Sequence, residues 1–226
     1  PLGMIEAGAD SFAGQIPTIL KCNSANSLMS DTAGKNQAVT ATVQDALRLG
    51  CAAIGFTIYP GSDMALDMFE EISEMRAEAA SVGIPTVIWS YPRGEAITKD
   101  GETAIDIAAY AAQIAALLGA HIIKIKLSTD HLENKDAKKV YEDQGIDIST
   151  QAKRVEHCMQ AAFGGRRIVV FSGGAAKGSD AVYEDAIAIR DGGGNGSIIG
   201  RNSFQRSRED ALAMLGKLVD IYLGKA

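Results

Sequence analysis

Six times along this chain a short apolar, largely β-branched run is followed by an amphipathic stretch. The strand-like runs fall at residues 16–23, 51–59, 84–91, 121–126, 167–172 and 196–200. The helix-like stretches fall at 36–49, 63–80, 104–118, 149–162, 180–190 and 208–223. Strict alternation of this kind predicts parallel βαβ units, with the strands buried and the helices outside. Gly50 and Gly83 close the first two helices, where a residue without Cβ is favoured. A polar insertion at 128–145 interrupts the fourth unit, and the first 15 residues are too few to hold two more units.

Doubly wound open sheets and (β/α)8 barrels are both built from such units. No Gly-x-Gly-x-x-Gly follows an early strand, which argues against a dinucleotide-binding sheet. Polar or reactive residues stand at the C-terminal end of nearly every strand, where a barrel builds its active site. The expected fold is therefore an α/β TIM barrel in a single domain spanning residues 1–226, with about six of the eight units visible. The length, 226 residues, is a little short of the roughly 250 typical of that fold.

Composition excludes several classes of function. Hydrophobic residues make up 46% and charged residues 22%, the balance of an ordinary globular chain. A net charge of -6 disfavours nucleic acid or an anionic membrane as the main partner. An anionic small substrate remains compatible, because a few local cations outweigh the total. No apolar run approaches the roughly 18 residues of a membrane span, and residues 1–11 lack a secretory pattern. Cys22, Cys51 and Cys158 are scattered and odd in number, so a reducing cytoplasm is expected rather than a disulfide framework. Three histidines and no paired-ligand motif give a transition metal little to bind.

Within the fourth strand, Lys124 and Lys126 share one face by the period-two rule. A partly buried ammonium beside another has its pKa lowered by desolvation and by like charge, which would yield a free amine able to attack a ketone. The residues alone equally allow both lysines to reach solvent from an edge strand. Trp89, Tyr91 and Arg93 follow the same period at the end of the third strand. Tyr91 there could move a proton and Trp89 wall a pocket, though each also reads as a core or rim aromatic. Lys21 reads as a phosphate-holding cation or as a solvated charge. Ser172, Gly173 and Gly174 end the fifth strand, and Gly200, Arg201 and Asn202 end the sixth. Glycine turns on the last two strands, each ahead of a helix, predict a phosphate site. Gly192, Gly193 and Gly194 read as a helix end. His131 and His157 read as structural, and Met64, Met68 and Met75 as core filler at helical spacing.

Taken in order, Thr57-Ile-Tyr-Pro-Gly-Ser62, Trp89-Ser-Tyr-Pro-Arg-Gly94 and Gly119-Ala-His-Ile-Ile-Lys-Ile-Lys126 carry a family pattern, completed by Ser172-Gly-Gly174 and Gly200-Arg-Asn202. From about residue 16 onward the chain resembles the archaeal-type (DhnA-type) class I fructose-1,6-bisphosphate aldolases. The resemblance implies a homo-oligomeric lyase of glycolysis and gluconeogenesis that needs no metal or cofactor; charge and cysteine usage add the expectation of a cytoplasmic protein with no nucleic-acid or membrane partner. It implies Lys124 as the Schiff-base lysine, Tyr91 as the general acid/base and Trp89 beside it. It further places the sugar phosphate against Ser172, Gly173, Gly174, Gly200 and Arg201, with Lys21, Arg93 and Lys126 as additional substrate-binding candidates. The family's Asp at the end of its first strand has no counterpart motif here. That departure implies that the first strand and most or all of the second are absent from these 226 residues. Two rivals stand beside this reading: a related Schiff-base aldolase or transferase acting on another phosphorylated sugar, and a non-catalytic phosphosugar-binding subunit.

Overall fold

A computed structural model describes residues 1–26, 28, 35–174 and 176–225. The chain divides into two compact units, Pro1–Ile97 with Ile114–Ile123, and Thr98–Gln113 with Lys124–Ala226.

The first unit opens with helix α1 (Leu2–Phe12), which local pattern did not suggest and which contributes no fully buried residue. Strand β1 (Ile19–Lys21) follows, then β2 (Asn23–Ser24) and β3 (Ala38–Val39), which pair antiparallel with each other. Helix α2 is only Val43–Arg48, shorter than the 36–49 expected. Its start is set by a capping box: the Thr42 hydroxyl accepts the Asp45 N–H, and Asp45 accepts the Thr42 N–H. Upstream, the N–H groups of Thr40 and Ala41 both donate to the Cys22 carbonyl, so this stretch is committed to the β2–β3 pair. Replacing Thr42 with Ala should destabilise the protein by about 1 kcal/mol, read from urea unfolding midpoints.

Strand β4 (Ala53–Ile58) is buried at every position, as a parallel strand covered on both faces must be. Helix α3 (Ala65–Ser81) and strand β5 (Thr86–Ser90) follow. β1, β4 and β5 lie in that order with parallel registers. Paired residues in parallel strands point to the same face, so Lys21 and Gly55 share a face, as do Thr57 and Trp89. The opposite face carries Leu20, Ile54, Phe56, Ile58 and Ile88, all completely inaccessible to solvent. Met68 on α3 is buried, while Met64 and Met75 are half-buried, so they are packing residues to different degrees.

In the second unit a 3-10 turn (Gly101–Thr103) leads into helix α4 (Ile105–Leu117), whose last turn belongs to the first unit. Strand β6 (Ile122–Lys126) likewise starts in the first unit and ends in the second. Its burial alternates: Ile123 and Ile125 are inaccessible, whereas Lys124 and Lys126 are half-buried. The polar insertion holds a helix, α5 (Lys135–Asp143), capped by the Asn134 side chain and anchored by buried Tyr141. Helix α6 (Gln151–Ala161) is capped by Thr150. Strand β7 (Ile168–Ser172) pairs in parallel with the short β8 (Ser197–Ile198). Helix α7 (Ser179–Asp191) connects them, and α8 (Arg201–Phe204) and α9 (Arg208–Tyr222) complete the chain. Val182, Ala186, Met214, Leu218 and Ile221 form one apolar cluster between α7 and α9.

Candidate active site

In the first unit, the strand ends bring together the polar side chains that follow β1, β4 and β5. Asn23, 1% exposed, clasps the backbone of Thr57: its Nδ2 donates to the Thr57 carbonyl and its Oδ1 accepts the Thr57 N–H, both at 2.8 Å. Lys21 donates to the Asn23 carbonyl, to Asn23 Oδ1 at 3.2 Å and to Gln37 Oε1 at 3.1 Å. Burial lowers its amine to about 8, with the Cys22 thiol opposing weakly. Lys21 is thus held by Asn23 of β2 and by Gln37 beyond it rather than extended freely into solvent. Gln37 Nε2 in turn donates to the Tyr59 hydroxyl at 2.7 Å. Sequence reading missed Gln37, which lies within the stretch expected to be helical.

Trp89 is half-buried, and its ring lies over Gly55 of the neighbouring strand. A Cβ at Gly55 would stand 2.1 Å from Trp89 Cζ3, so glycine makes room for the indole. The Arg93 guanidinium carbon sits 5.5 Å from the centre of the Tyr91 ring, a cation–π distance. Burial raises the Tyr91 phenol above its usual value; Arg93 opposes that shift and the Tyr59 phenol adds to it. At neutral pH Tyr91 therefore keeps its proton.

In the second unit, Lys124 and Lys126 project from the same face of β6, as the period requires. Burial holds the Lys124 amine below the ordinary lysine value. Lys126 has its own counter-ion, its Nζ 3.1 Å from Glu102. Glu102, on the 3-10 turn, also pairs with Lys99 at 3.0 Å and is held below the usual carboxylate range by these two ammonium groups, against desolvation. No local pattern points to Glu102, which lies 24 residues from Lys126.

A cavity of about 360 Å³ is lined by Lys126, Ser128, Ser172, Gly173, Gly174 and Lys177, among others. Ser172, Gly173 and Gly174 are therefore brought onto one wall, with two ammonium groups nearby. Lys177, also missed from sequence, is ion-paired with Asp185. Gly200 and Arg201 do not line this cavity; Arg201 instead donates Nη2 to the Gly174 carbonyl at 3.0 Å.

The histidines have structural partners. His157 Nε2 lies 2.6 Å from the Tyr141 hydroxyl in an edge-on ring contact, and His131 pairs with Glu133 at 3.1 Å. Among the described residues no group of three or more His, Cys, Asp or Glu side chains is placed to hold a metal ion. No helix among the described residues is long and apolar enough to cross a membrane.

The model of a protein family described as DeoC/LacD family aldolase matches residues 1–206. The chain belongs to that family. It is 34% identical over 215 residues to the class 1 fructose-bisphosphate aldolase of Thermoproteus tenax, covering 94% of this chain and 70% of that protein. The crystal structure of an archaeal fructose 1,6-bisphosphate aldolase superposes with a TM-score of 0.80 at 32% identity, covering 98% of this chain and 76% of that one. A further archaeal fructose-1,6-bisphosphate aldolase, solved with its catalytic Lys covalently bound to the carbinolamine intermediate, gives a TM-score of 0.79 at 31% identity. It is matched over 98% of this chain and 76% of that chain. The fold class is accordingly the α/β barrel type of the class I aldolases, of which a six-stranded sheet is present among the described residues. The DeoC/LacD chain is an aldolase by family.

Proposed function

We propose that this chain is a class I, Schiff-base fructose-bisphosphate aldolase that cleaves fructose 1,6-bisphosphate reversibly and without a metal, in the cytoplasm and as a homo-oligomer. The observation that carries the reading is Lys124. It is a half-buried strand lysine whose amine is pushed toward neutrality, in a chain whose archaeal aldolase relatives include one trapped with its catalytic Lys on substrate. Neutral Lys124 Nζ would attack the ketose C2 carbonyl, and loss of water from the carbinolamine would give an iminium. The C3–C4 bond then breaks, its electron pair moving into the iminium to form an enamine as the C4 hydroxyl loses its proton. Glyceraldehyde 3-phosphate leaves. Protonation of the enamine at C3 and hydrolysis release dihydroxyacetone phosphate and restore the amine. Tyr91 is assigned the proton on the family resemblance, supported by a phenol that burial keeps protonated. The Ser172–Gly173–Gly174 wall suits a phosphate, with Lys126 and Lys177 beside it.

The test is borohydride reduction in the presence of dihydroxyacetone phosphate, followed by peptide mass analysis. An adduct on Lys124 is expected. An adduct on Lys126 would transfer the role to that residue. Phosphate binding with no adduct would leave a phosphosugar-binding subunit as the better reading.

A further inference from the structure

The loop that follows β7 has three carbonyls held by side chains of one short segment. Asn202 Nδ2 donates to the Gly173 carbonyl at 3.0 Å, Arg201 Nη2 to that of Gly174 at 3.0 Å, and Arg206 Nη2 to that of Lys177 at 2.9 Å. The same segment fastens the far end of the loop. Asn202 Oδ1 accepts the Lys177 N–H at 2.8 Å, and Arg206 Nε donates to the carbonyl of Asn202 itself at 2.6 Å. Asn202 is only 3% exposed, and none of Arg201, Asn202 and Arg206 lines the cavity that Gly173, Gly174 and Lys177 border.

The direction of these bonds matters for an anion. A peptide carbonyl repels a phosphate oxygen, whereas a peptide N–H binds one. In a planar trans peptide the carbonyl of one residue and the N–H of the next point in opposite directions. Drawing the Gly173 carbonyl onto Asn202 therefore aims the Gly174 N–H the other way. Gly174, at φ +68, adopts a backbone conformation that favours glycine at this bend.

We propose that Asn202 and Arg206 are positioning residues of the anion site, turning the carbonyls of Gly173 and Lys177 away from the cavity so that peptide N–H groups face the substrate phosphate. The inference rests on the phosphosugar reading of that cavity. It also gives the loop's geometry a cause outside the cavity: the fork of Arg206 spans two carbonyls that a lysine could not reach together.

The experiment is calorimetric titration of inorganic phosphate into the wild-type chain and into Arg206→Gln, Arg206→Lys and Asn202→Asp, with thermal melts alongside. Each variant should bind phosphate about tenfold more weakly and show a comparable rise in KM for fructose 1,6-bisphosphate, with kcat changed far less. A purely structural role would lower the melting temperature without moving phosphate affinity in the folded fraction. Folded variants that keep wild-type phosphate affinity and KM overturn the proposal, as does a wild-type chain that binds no phosphate. If the wild-type chain binds phosphate but gives no Lys124 adduct, the aldolase reading fails while the titrations still decide this one.

Discussion

Replacing Lys124 with Arg should abolish the borohydride-trapped adduct and lower kcat by on the order of a thousandfold or more. Arginine keeps the charge and roughly the length but never presents a neutral amine, so it cannot form an imine. The phosphate wall contributes none of its own side chains to this step, so phosphate affinity should survive. That combination, intact binding with lost turnover, separates loss of the nucleophile from collapse of the fold. The pH dependence supplies a second readout. Because burial lowers the Lys124 amine, kcat/KM should rise with pH through an apparent value below the ordinary lysine range. A rise that persisted unchanged in Lys124→Arg would assign the titration to another group.

Glu102→Gln bears on the same pair of lysines. Its carboxylate holds the Lys126 ammonium, so the two lysines of β6 are chemically unlike despite sharing a face. Period-two alternation in the sequence could show that Lys124 and Lys126 point the same way. It could not show that one of them meets a carboxylate brought in from the turn before α4.

That contrast marks what the sequence made legible. Strand and helix positions followed from local pattern: β4 is a continuous apolar run because it is covered on both faces, and α3 and α7 kept their expected extents within a few residues. The failures were non-local. Residues 36–42 look helical in isolation, yet Ala38 and Val39 pair with Ser24 and Asn23, and the Thr42 cap delays the helix. The candidate site divides in the same way. Lys124, Trp89, Tyr91 and the two glycine turns are carried by short motifs. Gln37, Glu102, Lys177 and Arg206 owe their places to side chains or backbone carbonyls on other elements, and no spacing announces them.

Gly94→Ala is expected to be among the most damaging single-methyl changes in the chain, costing about 3–5 kcal/mol and lowering the melting midpoint by about 10 °C. Two motifs meet here. The turn Tyr59-Pro-Gly-Ser62 after β4 passes directly beneath the end of Trp89-Ser-Tyr-Pro-Arg-Gly94, and the Ala96 N–H donates to the Gly61 carbonyl at 3.0 Å. A Cβ on Gly94 would lie 2.3 Å from the Gly61 carbonyl oxygen and 2.4 Å from Ser62 Cα, against backbone that cannot swing aside. Its φ of 130° adds strain for any L side chain. The collision would push the loop carrying Tyr91 and Arg93, so activity should fall along with stability. Gly216→Ala is the control. That glycine lies inside α9 with nothing within 4 Å of an added Cβ, so the change should stabilise by about 0.5–1 kcal/mol. If the two substitutions shifted the melting midpoint alike, the close crossing of the two turns would be wrong. The family motif would then need a reason for Gly94 other than packing.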